Sequence, residues 1–503
     1  MKKMSPVISL IVFLVSIQAS AQKIVFTDGF NTKNIAYESA GGARIVEDSV
    51  TGEKVFIYSG KKEILFYQLD AKWKIIHKLS KSPNKESQYT DPNFTVLKAA
   101  HNKDRWTFIV RSLSGYSKET VDFATETHTV NEKYLTDIDK KYWEELFFDG
   151  SDTYILYLNK SNELCVTNFT SNLTANSIRL TLNSSLPMAK SKKYTAADLY
   201  AQIGVIDSLR AARPYFTRKK MHFYAGRDYY TVLIAAEEPL AELHQYDKKT
   251  GKEIKNQVFS VQSLLPKSAQ DSRFNTAALF FNNKVHVLAA TKSGGIYAVF
   301  DAATKDLAYQ YAYSEKDKML PFSYGPLTYE TLPGTVSTAV LKEKVEDITM
   351  DKFCAELFKH SCALTAQHLE GGKLLVTLAN YDMKELAAPT ASLRNGLNTM
   401  RSSDWYVSTS AGLLFENSSW SVSDKKTNWN ELNNSKAGES YKKAEVPTTN
   451  DAGAEYNDKR SYVLKTQFIG NRRYTIYFTS SRELKIDEKI LKDVPPKIIG
   501  LTN

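Results

Sequence analysis

Cysteine is scarce in this chain, with three among 503 residues, at positions 165, 354 and 362. So few exclude a disulfide-stapled scaffold and a four-cysteine zinc module. Of the 8 histidines, none stands at His-x-His or His-Glu-x-x-His spacing, so the signature of a zinc hydrolase is missing. Also missing are a Gly-x-Ser-x-Gly elbow, a phosphate-binding Walker loop, a dinucleotide glycine pattern and a Cys-x-x-Cys-His haem attachment. No metal, cofactor or nucleotide is therefore expected. Beyond residue 21 no stretch is apolar for the roughly 20 residues that cross a bilayer, so no transmembrane segment is expected in the mature chain. Basic residues are plentiful, giving a net charge of +10, but they are scattered in short clusters such as "KSKKY" (190–194), "TRKK" (217–220) and "NRR" (471–473). Without a basic helix or a recognised module these exclude a dedicated nucleic-acid binder. They remain compatible with weak attraction to anionic glycans or lipid headgroups.

What is present begins with the leader "MKKMSPVISLIVFLVSIQASAQ". Lys2 and Lys3 form a basic start, Val7 to Ile17 an apolar core, and "ASAQ" offers small residues for cleavage after Ala19 or Ala21. The apolar core is too short to span a bilayer, so the reading is a signal peptide over 1–21 and an exported chain over 22–503. With no cysteine beside the cleavage point, a lipid anchor is not expected. The short "MKK" start and the small-residue-plus-Gln junction resemble leaders of exported Bacteroidetes proteins, which implies the periplasm, the cell surface or the extracellular space.

The body of the chain is rich in tyrosine, with 29, and 42% of its residues are hydrophobic, a β-leaning composition able to fill a large core. Its pattern is clearest at "FFNNKVHVLAA" (280–290), where two asparagines separate two apolar runs. Asparagine tolerates positive φ, so the pair predicts a two-residue turn between antiparallel strands. The following "IYAVF" and "LAYQYAY" complete a four-stranded meander over 276–313. The same design recurs, with second strands expected to start near residues 54, 105, 153, 229, 284, 373 and 472. "DFAT" (122–125), "DKKT" (247–250) and "DAAT" (301–304) mark third turns, and "DSVT" (48–51) a first turn. Asp and Thr three apart close turns by bonding nearby amides, and the carboxylate spacing of a calcium loop is absent.

Four-stranded units recurring every 48 to 55 residues, with longer gaps where insertions fall, resemble β-propeller blades. The resemblance is to an architecture: no WD or kelch pattern recurs, and only "YDKKTGKEI" (246–254) approaches a quinone-propeller repeat. It implies an all-β fold, a single propeller of about seven four-stranded blades. The strand "KIVFTDG" (23–29), which has no unit of its own, is expected to complete the last blade and close the ring. Insertions are expected on the rim near 190–214, 340–362 and 417–460. "TAADLYAQIGVIDSLRAARP" (195–214) and "DITMDKFCAELFKHSC" (347–362) carry helix signals, and the third insertion is polar.

Candidate chemistry is thin. Cys354 and Cys362 are the close pair, and a disulfide between them requires the helix to end near 359–361; the alternatives are free thiols or a metal site with His360 and His368, whose spacing matches no zinc pattern. Cys165 reads as a small buried residue on a strand. Trp405, Trp420 and Trp429 lie in a Ser- and Asn-rich segment and are candidate glycan contacts, against the plainer role of packing between blades. Asp48-Ser49-Val50 and Asp207-Ser208-Leu209 resemble glycosylated tripeptides of exported Bacteroidetes proteins. No catalytic residue is singled out. The expected function is a non-catalytic exported propeller that binds a cell-envelope protein or glycan. The alternative is a glycan hydrolase or lyase with carboxylates at the central channel.

Overall fold

The structure, a computed structural model, describes residues 23–29, 42–182, 203–265, 273–385, 404–416, 421–422 and 462–490, apart from short breaks inside those ranges. The described strands form seven separate sheets. The first is a meander of Gly42–Glu47, Lys54–Ser59, Ile64–Leu69 and Ile75–Lys81. The second runs through Thr95–Asn102, Arg105–Ser112, Gly115–Asp122 and Thr127–Tyr134. The third runs through Glu144–Asp149, Asp152–Leu158, Leu164–Phe169 and Ala175–Leu180. Met221–Ala225, Tyr229–Ala235, Leu240–Asp247 and Glu253–Ser260 make the fourth. Asn275–Phe281, Lys284–Thr291, Gly294–Asp301 and Leu307–Ser314 make the fifth. Second strands thus start at residues 54, 105, 152, 229, 284, 374 and 472, each within one residue of its expected start.

Alternation along the strands explains why the sheets stack in chain order. In Lys54–Ser59 every residue is buried, because the strand has a neighbour on each face. Phe56 and Tyr58 pack with Tyr474 and Ile486 of the last sheet. Val55 and Ile57, pointing the other way, pack with Trp106 and Phe108 of the second. The second and third sheets share a core of Ile109, Ile155 and Tyr157. Leu156 and Val166 join Phe223 and Val232 between the third and fourth. The fourth, fifth and sixth share one continuous core. The first six sheets pack face to face in sequence and the seventh packs on the first, the arrangement of a β-propeller. Each large apolar side chain buried between blades contributes about 1.5–3 kcal/mol. Outer strands such as Thr127–Tyr134 are exposed at most positions, and the first strand of each meander lies on the inner side.

Lys23–Gly29 pairs antiparallel with Glu483–Ile490 as the outermost strand of the seventh sheet, and Phe26 enters the core shared with the first. The ring is closed by its own N-terminal strand, as the unassigned strand implied.

Two details depart from expectation. The helix expected over 195–214 contains a strand instead: Ile203–Val205 pairs parallel to Met221–Ala225 at the inner edge of the fourth sheet. Ile203 and Val205 are β-branched and buried, and Gly204 disfavours a helix, so an open sheet edge outweighs the capping signal. The flanking stretches lie outside the described residues. The sixth sheet is not a simple meander either. Its inner strands Ser361–His368, Leu374–Glu385 and Asp404–Glu416 follow in sequence the outer pair Tyr324–Leu332 and Lys342–Asp347. The connecting helix, Met350–Lys359, buries Met350, Phe353, Cys354 and Leu357 in the core of the fifth and sixth sheets. Of the 417–460 insertion only Ser421–Val422 is described, as a short strand on Asp404–Glu416.

Candidate functional site

In an up-and-down blade the turns joining first to second and third to fourth strands lie at one end of the ring, so seven blades gather their turns on one surface. Sequence chemistry fixes these turns. In Asp48–Gly52, Asp48 Oδ1 accepts from the Val50 amide at 3.0 Å and Oδ2 from Thr51 Oγ1 at 2.9 Å. Asp122 accepts from the amides of Ala124 and Thr125. Asp247 accepts from Lys249 N, Thr250 N and Thr250 Oγ1, and Asp301 from Ala303 N and Thr304 N. These bonds hold the carboxyls of Asp122, Asp247 and Asp301 below the ordinary range. Thr250 acts first on Asp247, Lys284 on Asp301, and the Thr125 amide ahead of Arg105 on Asp122. The Asp–Thr echoes are therefore turn locks. Gly251, at φ +70°, is required in its turn, because a Cβ there would meet the carbonyl oxygen of Arg179 in the third sheet. The asparagine turn behaves likewise: Asn282 and Asn283 have φ of 52° and 56°.

At the seam of the first and second blades this end holds a histidine between two carboxylates. His101 Nδ1 lies 3.1 Å from Asp48 Oδ2 and its Nε2 3.4 Å from Glu53 Oε2, while the ring stacks on Trp106 at 4.2 Å. Gln68 Nε2 donates to both Glu53 Oε2 and the Lys103 carbonyl. Burial pushes the Asp48 carboxyl up, but the bonds from Val50, His101 and Thr51 outweigh it and leave the group below its usual range. The contacts of His101 with Asp48 and Glu53, and of Gln68 with the Lys103 carbonyl, join one blade to the next, so the cluster clamps the seam.

A second buried constellation has the residue types of a hydrolytic triad but not its order. Glu119, fully buried, accepts from the Gln88 amide at 2.7 Å, Ser87 Oγ at 2.7 Å, Ser117 Oγ at 2.5 Å and His128 Nε2 at 2.8 Å. Both hydroxyls donate to the carboxylate and neither to the histidine, so no serine is activated as a nucleophile. Glu119 instead latches the short Gln88–Thr90 helix, which connects the first two blades. In the fourth blade His244 Nδ1 lies 2.6 Å from Glu253, and Nε2 3.3 Å from Glu242. Burial pulls the His244 pKa down, but the two carboxylates outweigh it and hold the imidazole above its ordinary range. Among the described residues no group of three or more His, Cys, Asp or Glu side chains is placed to hold a metal ion.

The cysteines are free thiols, all buried, and the disulfide candidate is not formed. The helix does end at Lys359, between Cys354 and Cys362, but Cys362 Sγ points to the Asn275 carbonyl of the fifth sheet at 3.2 Å. Burial pushes the Cys354 thiol up to about 12 and the Cys362 thiol up to about 11, which suppresses the thiolate that disulfide formation needs. Cys165 lies buried between the second and third blades, as a small apolar residue would. Trp405 lies on Asp404–Glu416, paired with Lys384, and Trp420 and Trp429 lie outside the described residues. No separate sequence signal marked His101, Glu119 or His244; their partners come from strand register.

No protein-family model matches the chain, and no curated protein matches it in sequence. Among solved structures it is similar to the dihydro-heme d1 dehydrogenase NirN in complex with DHE, at 9% identity and a TM-score of 0.24. That match covers 56% of this chain and 49% of the other, so the chain spans about half the length of the NirN it matches. The β-propeller domain of the Trilobed protease from Pyrococcus furiosus matches at 8% identity, covering 93% of this chain and 100% of that one, with a TM-score of 0.25. Apo AztD from Citrobacter koseri matches at 14% identity over 54% of this chain and 70% of that one, with a TM-score of 0.21. These likenesses distinguish no activity for this chain.

Proposed function

We propose that this chain is an exported, non-catalytic propeller that binds a cell-envelope protein or glycan through the turn-bearing end of its ring. Export and the envelope rest on the leader at 1–21, which lies outside the described residues. The observation that carries the binding reading is how the carboxylates near His101 and His128 are used. Asp48 and Glu53 on His101, and Glu119 on His128, are tied to amides, hydroxyls and amide side chains that join blades or fix turns. A glycosidase needs two carboxyls facing a shared cleft, one of them free to donate a proton. A surface of locked hairpin turns on a rigid ring serves recognition, since it presents a fixed pattern with little ordering cost on binding.

The test is affinity capture of the tagged mature protein from its native envelope, paired with incubation on envelope polysaccharide. The expected result is a specific partner retained in stoichiometric amount and no new reducing ends. Release of reducing ends or unsaturated sugars would favour the hydrolase or lyase, and recovery of the protein alone would weaken the binding reading.

A further inference from the structure

The turn-bearing end has a charge character that its composition alone does not reveal. Its aspartates are drawn into the turns, where Asp122 and Asp301 also meet Arg105 at 2.8 Å and Lys284 at 2.6 Å. Several of its lysines and arginines stand out in solvent. Lys72 and Lys74 of the first blade, Lys103 of the second, and Arg227, Lys249 and Lys252 of the fourth are all exposed. The exposed acids on the described turns of this end are Glu126, Asp228 and Asp306. Between the bases stand exposed hydroxyls and amides, among them Thr51, Asn102, Thr125, Asn172 and Thr250. At the other end the described charges are mixed, with Lys160, Lys292 and Lys316 against Glu238 and Glu315. The asymmetry follows from the turn chemistry: a turn of the Asp-x-x-Thr type consumes its acid, while Lys249 and Lys252 beside it stay exposed.

Resting on the reading that this end binds a partner, we propose that the partner is an acidic polysaccharide, carrying carboxylate or sulfate groups. The lysines and arginines of successive turns pair with its charges, while threonine and asparagine side chains meet its hydroxyls. A field of one sign spread across several blades suits a long, repeating anion better than a compact one. A lipid surface fits less well, because membrane docking calls for apolar side chains that enter the bilayer. Ile24, Ile254, Val258 and Leu307 lie on outer strands, Ile490 ends the strand beside Lys23–Gly29, and Val50, 90% exposed, is the exception on the turns. A nucleic acid fits less well too. Sequence-tolerant binding to single strands uses aromatic platforms, and duplex reading uses an element that enters a groove. The described turns expose neither an aromatic ring nor a helix.

The experiment compares the mature protein with a turn-end variant (K72E, K74E, K249E, K252E) and an opposite-end variant (K160E, K292E, K316E). The substituted side chains are exposed, so equal melting temperatures check the fold. Probes are polygalacturonate, dextran sulfate, neutral dextran, vesicles of anionic phospholipid, and duplex DNA. The expected result is binding to an acidic polysaccharide that weakens at least tenfold in the turn-end variant, stays unchanged in the other, and falls steeply with salt. Equal weakening in both variants, binding to neutral dextran of the same strength, or tighter binding to vesicles or DNA would overturn the proposal. Capture of an envelope protein that persists in the turn-end variant would also overturn it, while leaving the binding function itself intact.

Discussion

His222 is buried in a chain of hydrogen bonds that uses both of its nitrogens, and burial keeps it neutral. The Phe280 amide donates to Tyr224 Oη at 2.9 Å, and that hydroxyl lies 3.2 Å from His222 Nδ1; Nε2 lies 3.1 Å from the Thr217 carbonyl. Burial lowers the His222 pKa to about 4, and burial likewise lowers that of His286 to about 3. Since the folded values lie below the unfolded one, the stability these rings contribute is complete above about pH 6.5. It is lost as the pH falls toward 4, on the order of 3 kcal/mol for His222. His244, held high by Glu242 and Glu253, works in the opposite sense and loses its contribution as pH rises through its folded value. Urea midpoints measured from pH 7.5 to 4.5 should therefore fall, and fall less steeply in His222→Gln. Tyr224→Phe should cost about 1–3 kcal/mol at pH 7, because it strips the Phe280 amide and His222 Nδ1 of their partner together. An unchanged urea midpoint in Tyr224→Phe would mean that this chain of bonds does not hold the fourth blade to the fifth.

At the scale of the element, the turns were the most legible part of the sequence. "FFNNK" announces positive φ at two adjacent residues, and Asn282 and Asn283 adopt it. The expectation that follows is asymmetric. Asn283→Gly should leave stability equal or slightly higher, whereas Asn283→Val should cost about 1–2 kcal/mol, the penalty of a β-branched side chain in the left-handed region. Equilibrium denaturation of the two variants checks it, and equal stabilities would argue against the turn. Turn signals are legible because they are local. The candidate clusters are not local. Glu119 and His128, like His244 and Glu253, are nine residues apart and meet diagonally across the third turn of a blade. Asp48 meets His101 across a seam between blades. Nothing in the spacing of the eight histidines reports a register that exists only once strands are paired. The strand Ile203–Val205 was hidden for the same reason. Its three residues carry too weak a period to outweigh a capping signal, and its pairing with Met221–Ala225 is decided by an open edge elsewhere in the chain.

For the molecule as a whole, stability is tied to one seam between distant parts of the chain. Six of the seven sheets are built from segments close in sequence, but the seventh needs Lys23–Gly29 from the other end. That strand covers an edge that would otherwise be a bare ladder, and it places Phe26 against Phe56 and Tyr67 of the first blade, with ring centroids 6.2 and 5.8 Å away. Gln467 adds a second tie across this seam, its side-chain amide bonding both the N–H and the carbonyl of Ile45. Removing residues 22–30 should therefore lower the melting temperature and make the protein prone to associate through the exposed edge. Phe26→Ala in the intact chain should cost about 3–5 kcal/mol, the usual loss for a buried phenylalanine. A synthetic peptide of residues 22–30 added to the shortened protein should restore the melting temperature in a concentration-dependent way, because it binds the folded ring and not the open chain. A shortened protein that melts where the full chain does, with no response to the peptide, would show that the tie through Gln467 and the apolar seam suffices to hold the ring without its closing strand.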